Sequence, residues 1–258
     1  MILGGRLGYW ILRKLHPPGS EEKHCTSSTF INRDKLAVLL GPDLWDYIRD
    51  KTVIDFGCGE GNEAIALALH GARRVIGIDI RDNALARAAL LAQQMGVTDR
   101  CLFTKETNEK ADVVVSVDSF EHFADPALML GIMGKLLNAD GKILVSFGPP
   151  WFHPYGGHLF SVFPWAHLLF TERSLIRWRS DIRSDGAKRF SEVEGGLNQM
   201  TISRFISIVE KSDFRFERLE LVPIRHARWI HSRITREFLT SIVRCKIKKK
   251  DAVHPSSC

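Results

Sequence analysis

Five short apolar runs alternate with segments of helical character through the middle of the 258-residue chain. The runs are rich in β-branched side chains, which is typical of buried parallel strands. They predict strands at Thr52–Phe56, Val75–Asp79, Cys101–Thr104, Asp112–Val117 and Lys142–Phe147. The segments between them predict helices at Asn62–His70, Ala84–Ala92 and Pro126–Leu137. This alternation predicts an α/β fold whose mostly parallel sheet has helices on both faces.

Turn and cap signals refine the ends of these elements. Asp82 and Asn83 are expected to cap the second helix, because their side chains can accept from free amides in the first turn. Asn138–Gly141 predicts a turn before the fifth strand. Elsewhere the pattern predicts a helical lead-in at Phe30–Ile48, a helix at Thr201–Lys211, and further strands at Phe214–Val222 and Thr240–Ile247.

A glycine-rich turn follows the first predicted strand. Gly57, Gly59 and Gly61 occupy alternate positions shortly after Asp55. Glycine lets the backbone turn tightly and approach a ligand closely. Asp79 ends the second strand, where a carboxylate can accept hydrogen bonds from two ribose hydroxyls. Strand, glycine turn, helix, strand and acid together predict a nucleoside site.

The spacing of the glycines indicates the nucleoside. A dinucleotide fingerprint needs its third glycine at position 62, which is Asn62. The pattern D-x-G-x-G-x-G over Asp55–Gly61 resembles motif I of the class I S-adenosylmethionine (SAM)-dependent methyltransferases. The resemblance implies SAM as cofactor and a seven-stranded Rossmann-like sheet with one reversed strand. It also implies a set of cofactor-binding residues, namely Asp55, Gly57, Cys58, Gly59, Gly61, Asp79, Ile80 and Asp118, with Ile80 against the adenine ring.

The segment after the fourth strand carries a second resemblance. Asp118–Pro126 is similar to the LEHV-DP stretch of methyltransferases of the ubiquinone-biosynthesis type. The resemblance implies that Asp118 helps hold the methionine end of SAM, and that Glu121 and His122 lie near the transferred methyl group. His122 is then a candidate general base, since the usual pKa of histidine is near neutral. The alternative is that Glu121 and His122 only brace the following helix.

A segment of about fifty residues after the fifth strand exceeds ordinary loop length. It leaves the sheet on the crevice side, so we expect it to form a lid-like insertion over an acceptor pocket. Trp151 and Tyr155 are candidate walls of this pocket, and His153 and His158 are alternative bases. For each aromatic residue the alternative is packing in a small satellite core.

The division of the chain follows from these segments. We expect a helical lead-in over 1–50, the SAM-binding core over 51–148, the insertion over 149–200, the end of the core sheet over 201–250 and a flexible tail over 251–258. No apolar run approaches the roughly 20 residues that span a bilayer. Residues 1–15 predict a helix lying over the catalytic domain, with an interfacial helix as the alternative.

Charge and cysteine content narrow the range of expected binding partners and cofactors. Residues 171–258 hold 19 Lys and Arg against 11 Asp and Glu, whereas residues 1–170 are nearly balanced. This basic third could attract nucleic acid, but a solvated basic face is preferred because the run Lys246–Lys250 has no interleaved aromatics. The five cysteines are scattered and lack a C-x-x-C motif, which fits a reducing cytoplasm and gives no metal site.

These observations predict a SAM-dependent methyltransferase acting on a small, partly apolar acceptor, most simply at oxygen. The alternatives are a nucleic-acid methyltransferase that uses the basic third, a non-catalytic SAM-binding protein and a nicotinamide-binding protein. The acceptor and the oligomeric state stay open at the level of the sequence.

Overall fold

The computed structural model describes residues 2–17, 34–183, 185–193 and 195–251. Its centre is one seven-stranded sheet with the order β3-β2-β1-β4-β5-β7-β6, in which β7 is antiparallel to both neighbours. The predicted Rossmann-like sheet with one reversed strand is confirmed. The strands are β1 (Thr52–Phe56), β2 (Arg74–Ile78), β3 (Cys101–Thr104), β4 (Ala111–Val117), β5 (Leu137–Phe147), β6 (Phe214–Pro223) and β7 (Thr240–Lys249).

Helices cover both faces of the sheet. Neighbouring residues of a strand point to opposite faces, so each strand places apolar side chains against the helices on both sides. Ile54 and Val114 pack with α6 and α9 on one face, whereas Val53 and Val113 pack with α2, α3 and α4 on the other. The helices are α1 (Gly5–Leu15), α2 (Lys35–Leu40), α3 (Leu44–Ile48), α4 (Asn62–Leu69), α5 (Asp82–Gln94), α6 (Pro126–Lys135), α7 (Ala166–Leu169), α8 (Glu172–Ser180), α9 (Ile202–Lys211) and α10 (Arg236–Leu239).

Two local predictions were wrong. The predicted turn at Asn138–Gly141 lies inside β5, which starts at Leu137 rather than Lys142. Ala111 pairs with Leu137 and Val113 with Lys142, so the extra residues of β5 are accommodated as an irregularity beside the start of β4. The predicted caps of α5 lie within its first turn: Arg81 is the N-cap, and Asp82 instead pairs with Lys105 at 2.8 Å.

The insertion forms a compact unit at the end of β5. The amide of Trp151 donates to the carbonyl of Met200 at 2.8 Å, which holds its two ends together. Its buried side chains form a third apolar cluster that includes Phe160, Phe190 and Leu12 of α1. The N-terminal helix therefore packs on α8 of the insertion, not on the sheet.

None of the described helices is long and apolar enough to cross a membrane. Cys58, Cys101 and Cys245 are free thiols in the described residues. Cys25, Cys258, residues 1 and 18–33 of the expected lead-in, and all but the first residue of the expected tail lie outside them.

Candidate active site

The glycine turn leaves β1 at the carboxyl edge of the sheet, where the parallel strands end. Gly57, Gly59 and Gly61 have φ angles of 88°, 54° and 83°, in the left-handed region that favours glycine. The amide of Gly57 donates to the carbonyl of Ile78, the last residue of β2, at 2.8 Å. The turn thus lies beside the end of β2, and we call the carboxyl edge of the sheet around it the crevice.

Close packing adds to the demand for glycine in this turn. A Cβ on Gly61 would lie 2.7 Å from the Cβ of Ala88, and one on Gly57 would lie 2.6 Å from Ser119 Oγ. Cys58 is buried between these positions, and burial raises the pKa of its thiol, so the thiol stays protonated. Backbone conformation and packing both hold the turn in place.

Asp79 follows β2 and faces the glycine turn. Its carboxylate accepts from the amide of Gly59 at 2.9 Å and from the guanidinium of Arg81 at 3.1 Å. Burial acts to raise the pKa of Asp79, but the hydrogen bonds from Arg81 and Gly59 outweigh it and lower the pKa. An ionised carboxylate therefore lies where the sequence predicts the ribose acid. The side chain of the adjacent Ile80 is 86% exposed and accessible to an adenine ring.

A lysine and three acids surround the far side of the turn. The Nζ atom of Lys35 lies 2.7 Å from Glu63 Oε1 and 3.6 Å from Asp118 Oδ2. Burial opposes the charge of Lys35, but Glu63 and Asp118 together raise its pKa. Asp55 is buried beneath them, and burial followed by the charge of Glu63 raises its pKa well above the usual value.

These groups match the chemistry of SAM. The glycine turn is a cradle that a Cβ would fill, Asp79 suits the ribose, and the acids suit a cationic ligand. Lys35 suits the carboxylate of the methionine tail. Sequence reasoning missed Lys35 and Glu63. Glu63 lies in α4, two residues after the last glycine of the motif, whereas no local spacing relates Lys35 of α2 to that motif.

Glu121 lies one short turn beyond β4 and is almost fully buried. Neither of its carboxylate oxygens has a hydrogen-bond partner within the described residues. Burial, with a smaller effect from Asp118, raises the pKa of Glu121 to about 8. The backbone around it is held by Asn198 of the insertion, whose side-chain amide donates to the carbonyls of Phe120 and Phe123. Asn198 is a positioning residue that sequence reasoning missed.

His122, which follows β4, lies next to His158 of the insertion, with ring centroids 5.6 Å apart. The Nδ1 atom of His122 is 2.7 Å from the carbonyl of Gly196, so Nδ1 carries the proton and Nε2 is the acceptor in the neutral ring. Burial lowers the pKa of His158 to about 4, and its Nε2 atom has no partner among the described residues.

The other predicted residues of the insertion have different surroundings. His153 is buried, which lowers its pKa to about 4, and its Nδ1 atom accepts from the amide of Tyr155 at 3.0 Å. Tyr155 is exposed. Trp151 packs against His167 and Phe190 inside the apolar cluster of the insertion, which is the satellite-core alternative.

No group of three or more potential metal ligands occurs among the His, Cys, Asp and Glu residues that the structure describes.

A Rossmann-like sheet with this glycine turn, an acid after β2 and a reversed seventh strand defines a class I methyltransferase fold. The sequence of this chain matches, from residue 31 to residue 215, the family model described as a methyltransferase domain. The chain belongs to this family, and the prediction of the family and of its cofactor SAM is confirmed.

Solved structures agree on the fold. The YcgJ protein of Bacillus subtilis is 16% identical to this chain and superposes with a TM-score of 0.53. The match covers 81% of this chain and 97% of the YcgJ chain. A SAM-dependent methyltransferase of Mesorhizobium loti is also 16% identical, with a TM-score of 0.52. That match covers 78% of this chain and 92% of the methyltransferase.

Curated relatives match over shorter stretches. Ubiquinone biosynthesis O-methyltransferase of Neisseria meningitidis is 34% identical over 106 residues, 38% of this chain and 44% of that protein. Ribosomal protein L11 methyltransferase of Haemophilus influenzae is 49% identical over 73 residues, 27% of this chain and 25% of that protein. The chain thus spans between a quarter and a half of their lengths.

Proposed function

We propose that the protein transfers a methyl group from SAM to an oxygen of a small, partly apolar acceptor, with His122 as the general base. The observation that carries this proposal is the position of His122 beside the cofactor crevice, with its Nε2 atom set as an acceptor by the bond between Nδ1 and Gly196. A base needs this arrangement to remove a proton from a hydroxyl group.

In this proposal, the residues around the glycine turn bind SAM and orient it. When bound, SAM supplies an activated methyl group on a good leaving group. We assign the ribose to Asp79, the adenine face to Ile80 and the methionine tail to Lys35 and Asp118. Since the transferred group is already activated, alignment of the acceptor supplies much of the rate enhancement.

His122 would take the proton of the acceptor hydroxyl at Nε2. The carbonyl of Gly196 accepts from Nδ1 before and after this step, so it holds the ring and stabilises the imidazolium that forms. His158 is a weaker candidate because its pKa is near 4. His153 is weaker still as a base, since its Nδ1 lone pair is engaged by the amide of Tyr155.

Glu121 suits an acceptor-binding role. A carboxyl group with a pKa of about 8 holds its proton at neutral pH and can donate one hydrogen bond and accept another. Its oxygens have no partner within the described residues, so a polar group of the acceptor would satisfy them. The insertion contributes the apolar surroundings, with the exposed Tyr155 as a candidate wall and Trp151 supporting the insertion from within.

The test is release of S-adenosylhomocysteine with a panel of phenols and aliphatic alcohols. His122→Asn is expected to lower kcat by about 100-fold or more while SAM affinity is unchanged. His70→Asn is the control, because His70 ends α4 away from the crevice and its Nδ1 atom also bonds a backbone carbonyl. Full activity of His122→Asn would exclude His122 as the base.

A protein acceptor is the second candidate, favoured by the local identity to ribosomal protein L11 methyltransferases. It predicts turnover with ribosomal proteins or peptides derived from them, and none with the small hydroxyl compounds. A nucleic-acid acceptor is less favoured, because several cations of the basic third are already paired with acids of the same chain: Arg244 with Glu220, Arg179 with Asp185 and Lys246 with Asp43.

A further inference from the structure

The segment between β6 and β7, residues 224–239, presents large apolar side chains to solvent. We call it the docking loop. Trp229 is 85% exposed and Ile234 is 89% exposed, and Ile230 and Phe238 are exposed by 40% and 45%. Single exposed apolar residues are ordinary on a protein surface, but four within ten positions mark an interaction surface.

The charge of the docking loop is one-sided. It contains four arginines, at positions 225, 228, 233 and 236, and one acid, Glu237. The carboxylate of Glu237 caps α9, accepting from the amides of Ile202 at 3.0 Å and Ser203 at 2.7 Å. None of the four arginines forms an ion pair with another described residue. The arginines therefore leave an unbalanced positive charge around Trp229 and Ile234.

The position of the docking loop relates it to the crevice. β6 is antiparallel to β7, which is antiparallel to β5, so β6 ends at the same edge of the sheet as β5. The ring of Phe238 lies 5.5 Å from that of Phe152, near the start of the insertion. A partner bound to the docking loop would therefore lie beside the insertion, on the crevice side of the molecule.

We propose that the docking loop binds the surface of an anionic lipid bilayer. Trp is favoured at the boundary between headgroups and acyl chains, aliphatic side chains insert into that boundary, and arginines attract anionic headgroups. Lipid is favoured over RNA because isoleucine has no aromatic face on which a base can stack. The proposal does not depend on methyl transfer, since lipid binding is measured without any acceptor.

The experiment is co-sedimentation of the full chain with vesicles of phosphatidylcholine, with and without about 30% phosphatidylglycerol. We expect binding to the anionic vesicles, weak binding to the neutral ones, and loss of binding at about 1 M NaCl, where surface charge is screened. Equal binding to both kinds of vesicle, or no binding to either, overturns the proposal.

Variants separate the two contributions. Trp229→Ser combined with Ile234→Ser should weaken vesicle binding by about tenfold or more. Arg225→Gln and Arg228→Gln should each weaken it by about fivefold. The controls are Leu90→Ser, an exposed leucine of α5 near the opposite end of the sheet, and Lys211→Gln, an exposed lysine at the end of α9.

Two measurements keep the interpretation firm. Circular dichroism and SAM binding should be the same in all variants, so that lost vesicle binding reports on the surface alone. Single-stranded RNA is the competing partner. The lipid proposal is overturned if RNA displaces the protein from anionic vesicles and the Trp229 and Ile234 double variant loses as much affinity for RNA as for vesicles. That result would assign the docking loop to nucleic acid.

Discussion

Glu121 and Asp55 are both buried carboxyl groups at the carboxyl edge, but their surroundings differ. Of the buried oxygens without a hydrogen-bond partner within the described residues, Asp55 contributes Oδ2 alone, whereas Glu121 contributes both carboxylate oxygens. A buried, unpaired carboxylate costs several kcal/mol unless it takes up a proton. Groups with such shifts concentrate at functional sites, which agrees with the acceptor-binding role proposed for Glu121.

Glu121→Gln tests this residue through stability. The folded pKa of about 8 lies above the usual 4.5, so the folded state holds a proton that the unfolded state releases. Wild-type stability should therefore fall as pH rises from about 4.5 to about 8, whereas the Gln variant lacks this loss. We expect the variant to be a few kcal/mol more stable at about pH 9, with the difference vanishing by about pH 5.

Urea unfolding at several pH values measures this difference. Glu210→Gln is the matched control, because Glu210 is an exposed residue of α9. A constant difference between Glu121→Gln and the wild type at every pH would contradict the assignment of a raised pKa to Glu121.

At the scale of elements, the insertion depends on neutral histidines. The amide of Gly157 donates to Ser161 Oγ, the Ser161 hydroxyl donates to Nδ1 of His167 at 3.0 Å, and Nε2 of His167 donates to the carbonyl of Trp151 at 2.6 Å. In the neutral ring, these bonds place the proton of His167 on Nε2 and leave Nδ1 as the acceptor. Burial lowers the pKa of His167, as it does for His153 and His158.

Acid should therefore loosen the insertion before the sheet. The folded pKa values lie below the unfolded value of 6.5, so the neutral rings contribute stability above pH 6.5 that is lost as pH falls toward about 4. For His153 and His158 we expect a loss of about 2 kcal/mol each at about pH 5. Hydrogen exchange of peptides from 151–170, corrected for intrinsic rates, measures it locally.

The helix α5 provides the internal comparison, since it contains no histidine. The variant His158→Asn should remove part of the acid sensitivity, because asparagine does not titrate and tolerates the left-handed φ of 51° found at this position. Equal acceleration of exchange in α5 and the insertion would indicate global unfolding instead.

At the scale of the whole molecule, the crevice joins three parts of the chain that are distant in sequence. Lys35 comes from the lead-in, the glycine turn and Asp79 from the core, and Gly196 from the end of the insertion. A ligand that contacts all three parts stabilises the folded state as a whole, because it binds the folded chain and not the unfolded one.

SAM should therefore raise the free energy of unfolding by about 2.7 kcal/mol at a concentration of 100 times its Kd. Asp79→Asn should weaken SAM binding by about tenfold or more, since it removes a charged hydrogen-bond acceptor. At the same SAM concentration it should therefore lose about half of this stabilisation or more. Thermal unfolding with increasing SAM measures both. Asp82→Asn, an exposed acid three residues further on, should behave as the wild type; equal SAM responses of the two variants would remove the ribose assignment.

Much of the core could be predicted because its signals are local. β1 and β3 have the predicted bounds, since a short apolar run flanked by turn residues defines a buried strand. Asn138–Gly141 was mistaken for a turn because its composition is that of a turn, whereas pairing with β4 keeps it in the strand. Of the crevice residues, Asp79 follows from spacing, but Lys35 and Asn198 do not.

By itself, the sequence determined the glycine turn and, through the resemblance of Asp55–Gly61 to a known motif, the cofactor, because these depend on residues within a few positions of one another. The alternation of strand and helix patterns determined the fold class. Only the tertiary structure decided which groups surround the crevice. It brought Lys35 to Glu63 and Asp118, placed Gly196 against His122, and left the arginines of the docking loop without ion pairs among the described residues. Such contacts depend on how distant segments pack, and packing is not encoded in local spacing.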